Sequence, residues 1–308
     1  MKKADRLWVI SNIMMDVVMF VDQWPEHRGD VLAKQGQATP GGAFNVLAAA
    51  TRLGLKTIYG GLIGTGPFGD MIVRQLDAMG VIQANDRIPG HDTGFDVAIV
   101  EGRGEPTFIT ALGCESWLDT PHLANLPIQA GDGVYLSGYN LVIQPSASAL
   151  RNWVPSLHDN FVILDPGPLV ADIDPKLLDH VMRYTDVFSL NQREAFLLTG
   201  LNDAAAALTA LHKRFGDKTA IAVRSGPYGS WIMDYSNRPC NVPTIAVKAV
   251  NTMGAGDVHT AALVARMQEV PWEQAVFEAN ICASLATERK GPAESPTWAE
   301  LYEYLHNR

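Results

Sequence analysis

The sequence predicts an α/β fold, a doubly wound, mostly parallel sheet flanked by helices, with a small β-sheet lid. Three observations predict it. Short β-branched runs alternate with longer helical patterns along the chain. The strand runs are continuously apolar rather than alternating, as strands covered on both faces are. Two stretches, Met14 to Thr39 and Thr93 to Leu112, break the alternation and read as β excursions from the core. With 47% hydrophobic and 19% charged residues, all 308 residues (1–308) are expected to fold as one domain around a packed core.

The elements follow in order. Leu7 to Ile13 is the first strand; Ser11, Asn12 and Asp16 interrupt the apolar run after the basic start, so it is not read as a leader. The first excursion leads into an Ala-rich helix, Gly42 to Leu53, stopped by Gly54. Thr57 to Ile63 is the next strand and Phe68 to Met79 the next helix. In the second excursion, "FDVAIVEGRGEPTFITAL" reads as two strands joined by a Gly-containing turn. An excursion over a strand-end crevice is where a lid belongs; the alternative is a pair of edge strands of the main sheet. Core strands follow at Gly133 to Ser137, Phe161 to Asp165, Asp186 to Leu190, Thr219 to Arg224 and Ser230 to Met233. Helices are expected from Asn191 to Thr199, ended by Gly200, and from Ala204 to Phe215. Finally a strand-like run, Ile245 to Val250, feeds the stretch "NTMGAGDVHTA" and an apolar helix to Met267.

Composition narrows the function. A net charge of -9 argues against a nucleic-acid or acidic-membrane footprint, which would want clustered Lys and Arg. No run of about 18 apolar residues occurs, so no membrane span is expected. Cys114, Cys240 and Cys282 are too few and too scattered for a disulfide framework, and point to reduced thiols in a cytoplasmic setting.

Two Gly-rich stretches compete for a phosphate. Gly64 to Gly69 matches GxGxxG between a strand and a helix, the pattern of a nicotinamide or flavin oxidoreductase. It follows the second strand, not the first, and Pro67 removes one amide donor, so a structural turn competes with that reading. In the second stretch, Gly254, Ala255 and Gly256 leave helix N-terminal amides unshielded toward an anion. A carboxylate beside bound phosphate, Asp257, makes sense as the base that takes the proton of an attacking alcohol; its bland reading is a helix cap. Asn191 and Glu194, three apart at a helix start, suit either Mg²⁺ or a capping box. Ser225, Gly226 and Gly229 form a turn after a strand, for nucleotide contact or as a plain hairpin.

"NTMGAGDVHTA" resembles the C-terminal signature of the ribokinase-like (PfkB) carbohydrate kinases, and "GGAFNVLAAATRLG" (41–54) the N-terminal one. "SLNQREAFLLTG" resembles the family's N-x-x-E element and "AVRSGPYGSWIM" its nucleotide-side turn, all in the family's order. The resemblance implies a ribokinase-like fold and an ATP-dependent small-molecule kinase acting on a sugar or nucleoside hydroxyl, with ATP and Mg²⁺ as cofactors. It implies that Asp16, Gly41, Gly42 and Asn45 hold the substrate, that Asp257 acts with the Gly254 to Asp257 amides, and that Glu194 meets the metal through water. Asn191, Ser225, Gly226, Gly229 and Asn280 fall on the nucleotide side. His259, two positions past Asp257, is expected to point away and is given no role.

Two departures from the family pattern matter. Asn251 stands where an acid is usual, which weakens the case for K⁺. Ala43, Phe44 and the methionines Met14, Met15 and Met19 suggest an apolar wall, and few bases beyond His27, Arg28 and Arg103 lie near, so a neutral sugar or nucleoside is expected rather than a phosphosugar. Asn251 and Phe44 also motivate a rival, a catalytically silent sugar or nucleoside sensor. A lid edge could pair with a second copy, which makes a homodimer through the lid a candidate assembly.

Overall fold

A computed structural model of the chain describes residues 6–101, 107–216, 218–291 and 294–307. In chain order the strands are β1 (Arg6–Ile10), β2 (Ile13–Val21), β3 (Gln35–Gly42), β4 (Lys56–Tyr59), β5 (Ile82–Gln83), β6 (Phe95–Glu101), β7 (Thr107–Ala111), β8 (Gly133–Ser137), β9 (Phe161–Asp165), β10 (Val187–Asn191), β11 (Ala220–Arg224), β12 (Ser230–Met233) and β13 (Cys240–Val242). Nine form the main sheet in the order β13-β12-β11-β10-β9-β8-β1-β4-β5, parallel except for β12 and β13. β8 and β9 are buried along their whole lengths, as their unbroken apolar runs require. From β1 the chain winds outward first to β4 and later to β8, so a crevice opens where the winding changes direction.

Two apolar layers cover the sheet. On one face the helices Ala43–Arg52, Ala255–Arg266 and Trp272–Thr287 pack with residues such as Val46, Leu47, Val258 and Ala279. On the other, Ser146–Trp153, Pro175–Met182 and Ala204–Phe215 bury Leu150, Val181 and Leu208 against Val134, Val162 and Ile221. Each layer lets the sheet shed water on that side, which is the dominant favourable term in folding.

The excursions do not extend the main sheet; the edge-strand alternative fails. β3-β2-β6-β7 form a separate four-stranded sheet in which β2 pairs antiparallel with β3 and parallel with β6. The turn expected between β6 and β7, with Arg103, lies outside the described residues. One face of this small sheet, through Val18, Ala98 and Val100, packs with Met253 of the "NTMGAGD" loop, so the lid sits over the later signature. It joins the body at two crossings. At one, the Ala43 amide donates to the Asn12 carbonyl at 2.9 Å. At the other, the fully buried Glu115 carboxylate accepts from the Gly94 amide (2.7 Å) and the Gly113 amide (2.8 Å), tying the outgoing and returning strands to one residue.

Two expectations are corrected. The first core strand ends at Ile10, and Ile13 already belongs to the lid. Ile245 to Val250 is not a strand: past β13 the segment leaves the sheet and runs along helix Trp272–Thr287, with Thr244 Oγ1 donating to the Asn280 carbonyl and the Val250 and Asn251 amides to the Thr287 carbonyl. Ile245 packs against the core while Val250 stays exposed, so the run is held by these hydrogen bonds instead of strand pairing, a tertiary choice that propensity does not encode.

Candidate active site

The later signature folds as its glycines demand. Gly254 caps helix Ala255–Arg266 with φ 75°, a left-handed conformation that favours glycine. The first-turn amides have no carbonyl four residues back within the helix, so the positive end of its dipole faces the crevice. Asp257 sits in that first turn and receives a hydrogen bond from Asn45 Nδ2 at 3.1 Å, across 212 residues of chain. The earlier and later signatures therefore meet at one carboxylate. Burial, then the nearby Asp165 carboxylate, pushes the Asp257 carboxyl up to about 7; the Asn45 bond and the Arg224 guanidinium oppose them.

Arg224, the last residue of β11, is the cation of the site. Its Nη1 donates to Asp165 Oδ2 (3.0 Å), Ser189 Oγ (2.8 Å) and Thr260 Oγ1 (3.0 Å). Its Nη2 lies 3.8 Å from Glu194 Oε2. A Cβ on Gly256 would stand 3.4 Å from the same Nη2, so the guanidinium lies directly behind the helix N-terminus. Carboxylates on β9 and after β10 keep it charged despite burial.

Of the residues expected to hold substrate, Asp16, Gly41 and Gly42 lie on the lid strands and Asn45 on helix Ala43–Arg52. Asp16 is 7% exposed, so it does not sit on an exposed bend. Its carboxylate lies against the backbone of Gly41, where any Cβ would come within 2.1 Å of it. Gly42 has φ 61° and passes so near the Asn12 carbonyl that a Cβ would stand 2.6 Å from it. Desolvation, and then Asp96, raise the Asp16 carboxyl far above its ordinary range.

Asn191 and Glu194 do form a capping box: the Glu194 amide donates to Asn191 Oδ1 (2.8 Å), while the Asn191 amide and Nδ2 donate to Oε2 (2.8 Å) and Oε1 (2.6 Å) of Glu194. Burial and then Asp165 raise the Glu194 carboxyl. Among the described residues no three His, Cys, Asp or Glu side chains converge as a metal site. One pre-bonded carboxylate therefore fits an ion held mainly by phosphates and water, not by a protein cage. Ser225, Gly226 and Gly229 form the turn between β11 and β12, with positive φ at both glycines, and the buried Ser225 hydroxyl has no partner among the described residues.

A family model, pfkB family carbohydrate kinase, matches residues 4–299. The chain belongs to this family. It is 31% identical over 297 residues to "Uncharacterized sugar kinase YegV" of Escherichia coli, covering 95% of this chain and 92% of that one. Its fold resembles a fructokinase from Vibrio cholerae solved with fructose, ADP and calcium (TM-score 0.79, 25% identity, 97% and 98% of the two chains). It also resembles Arabidopsis thaliana ribokinase solved with ribose and ATP (TM-score 0.78, 24% identity, 98% and 99%).

The chain is thus a phosphotransferase of the sugar kinases, and the oxidoreductase expectation falls. In this pfkB kinase the Gly64 to Gly69 loop is filled from within: Asp92 accepts from the Phe68 amide (3.1 Å) and the Gly69 amide (2.8 Å), where a pyrophosphate would sit. Gly66 is glycine because Asp92 would strike its Cβ. Asn280 is also occupied internally. Its Nδ2 donates to the Val242 and Pro243 carbonyls, and its Oδ1 accepts from Ser230 Oγ (2.7 Å) and His259 Nε2 (3.1 Å). It holds β12, the following segment and two helices together, and offers no free group to a nucleotide. Burial drives the His259 ring down to about 3, so it stays neutral, bonded to Asn280 and not to Asp257.

Sequence reasoning missed Asp165, Arg224 and Asp96. A signal existed for the first: in "ILDPGP" an acid ends a wholly apolar strand, where ligands of parallel sheets bind. Phe44 and Met15 pack into the main core and so form less of a substrate wall than expected, while His27 and Arg28 are exposed between β2 and β3.

Proposed function

We propose that this kinase transfers the γ-phosphoryl group of ATP to a hydroxyl, the primary hydroxymethyl, of a neutral sugar or nucleoside. The observation that carries the reading is one half-buried carboxylate, Asp257, at an open helix N-terminus, its carboxyl raised to about 7. The acceptor hydroxyl gives its proton to Asp257 as its oxygen attacks phosphorus, and Asn45 keeps the carboxylate turned toward it. Charge building on the phosphoryl oxygens is met by the Ala255 to Asp257 amides, with the Arg224 guanidinium behind them. Mg²⁺, when bound with ATP, neutralises phosphate charge; Glu194, with Asn191 orienting it, would hold one of its waters. Asp16 accepts from substrate hydroxyls, and the backbone at Gly41 and Gly42 lets them approach. Ser225, Gly226 and Gly229 border the nucleotide. The lid excludes water that would otherwise consume ATP.

K⁺ is not required in this reading. Asn251 Nδ2 donates to the Lys290 carbonyl at 2.9 Å and its Oδ1 accepts from the Met253 amide at 2.9 Å, so an amide links the two loops that a cation would otherwise join. Asn251 and Phe44 serve structure and leave Asp257 intact, which removes the motive for a silent sensor. Exposed Phe108 and Ile109 on β7, the lid's edge strand, support a homodimer through the lid. Three free cysteines support a cytoplasmic setting.

The test is Asp257→Asn assayed by ADP release over a panel of pentoses, ketohexoses and nucleosides. Turnover is expected to fall by about 100-fold or more with ligand affinity largely kept. A variant as active as the parent refutes the assignment.

A further inference from the structure

We infer that Asp96, on the second lid strand, is a second substrate-holding carboxyl group which, with Asp16, selects a neutral, hydroxyl-rich acceptor and turns away one carrying a phosphate or carboxylate at the lid end. The inference rests on the kinase reading and names the substrate class of the same site.

The pair is built by the lid sheet. Asp16 and Asp96 are register partners on the parallel strands β2 and β6, so their side chains leave the same face. Two residues further along that face, Val18 and Ala98 cover the "NTMGAGD" loop, so the pair looks toward Asp257. In "FDVAIV" Asp96 interrupts an apolar strand, and a carboxylate there has no role in packing. Its Oδ1 is buried with no partner among the described residues. A second buried acceptor in the same place, Asn45 Oδ1, is likewise without a partner there, while its Nδ2 holds Asp257. Asn45 is 7% exposed. The open side of Asp16 is kept clear by Gly41, which no Cβ could replace. Tyr139, whose hydroxyl is raised first by burial and then by Asp257, Asp96, Asp16 and Asp165, lies on the same acidic side of the crevice.

Charge decides what fits. Burial raises both carboxyls, and each acts on the other across the paired strands, so the site gains no positive charge from them. Among the described residues, the charges that raise the Asp16 carboxyl are those of Asp96 and Asp257, both negative. Arg224 is spent on Asp165, Ser189 and Thr260. Vicinal hydroxyls match this pair, each donating to a carboxyl oxygen, one of them the unpartnered Asp96 Oδ1. Among the described residues no unpaired cation faces the pair, so an anionic group would be repelled in this desolvated place.

The experiment compares the parent, Asp96→Ala and Asp96→Asn with D-fructose, D-ribose and inosine as neutral acceptors and ribose 1-phosphate and gluconate as anionic ones. ADP release gives KM and kcat, and thermal melting checks folding. The parent is expected to favour a neutral acceptor over both anions. Asp96→Ala should raise that acceptor's KM about 10- to 100-fold with kcat within about threefold, and narrow the preference for neutral over anionic. Asp96→Asn, which keeps one side-chain acceptor oxygen beside Asp16, should fall between. An unchanged KM in folded Asp96→Ala, or a parent that prefers an anion, overturns the inference. If the parent releases no acceptor-dependent ADP, the kinase reading fails, and melting with the same compounds decides Asp96 separately. A neutral sugar that raises the parent's melting temperature but not that of Asp96→Ala supports the assignment. A rise in both, or in neither, overturns it.

Discussion

Asp165→Asn should make the enzyme work at lower pH. Asp257 must be ionised to accept a proton, so activity rises with pH through its pKa. That value is raised to about 7 by burial and then by the Asp165 carboxylate. With a pKa of about 7, roughly one-tenth of the molecules carry the ionised base at pH 6. Asparagine is isosteric and removes the neighbouring negative charge; it also frees Arg224 Nη1 from its 3.0 Å bond, strengthening the cation's pull on Asp257. Both changes lower the pKa. A shift of about one unit would raise the ionised fraction at pH 6 to about one-half, roughly a fivefold gain relative to the plateau. The assay is the single-turnover phosphoryl-transfer rate at saturating acceptor and ATP from pH 5 to 9, which reads the base in the loaded enzyme rather than the Asp16 and Asp96 pair. An acid limb that stays in place, or moves to higher pH, refutes the assignment of Asp257 as base or of Asp165 as its main charged neighbour.

Gly229 and Gly226 share one turn, yet alanine should cost very different amounts. Gly229 has φ 79° and ψ −142°, and a Cβ would lie 2.1 Å from the Val242 carbonyl, whereas Gly226 has φ 56° with open space around it. Urea unfolding should show a loss of at least about 2 kcal/mol for Gly229→Ala and about 1 kcal/mol for Gly226→Ala; equal losses would contradict this geometry. Replacing K⁺ by choline at fixed ionic strength should change steady-state rates by no more than about twofold, since Asn251 supplies an amide where charge would be needed. A many-fold rise with K⁺ would overturn that view of the loop.

Elements that carry their own signal were legible. β8, β9 and β12 match the expected strands; β8 and β9 are buried along their whole lengths, as doubly covered strands are. Helix Ala204–Phe215 also matches, bracketed by its Asp203 cap and Gly216. The lid was legible as a break in rhythm, and Asp257 as a carboxylate in the wrong company. What escaped is long-range. Nothing local distinguishes Arg224 from any cation ending a strand; its meaning comes from Asp165, 59 residues earlier, and from the helix that begins at Ala255. Asp96 gains its role only from register with Asp16, 80 positions away and in a parallel pairing that no hairpin announces. Asn280 shows the converse: family position places it on the nucleotide side, and nothing in the sequence signals that its side-chain amide is bonded to Ser230, His259, Val242 and Pro243.

The two crossings of the small sheet have a mechanical consequence. A rigid plate pinned near Asn12–Ala43 and again at Glu115 keeps one easy motion, a swing about the line through both pins. Asp16 and Asp96 ride on that plate, and Asp257 stays with the frame. With the proposed roles, opening the plate would carry the sugar-holding carboxyls away from the proposed base in a single angular movement, coupling access to chemical competence.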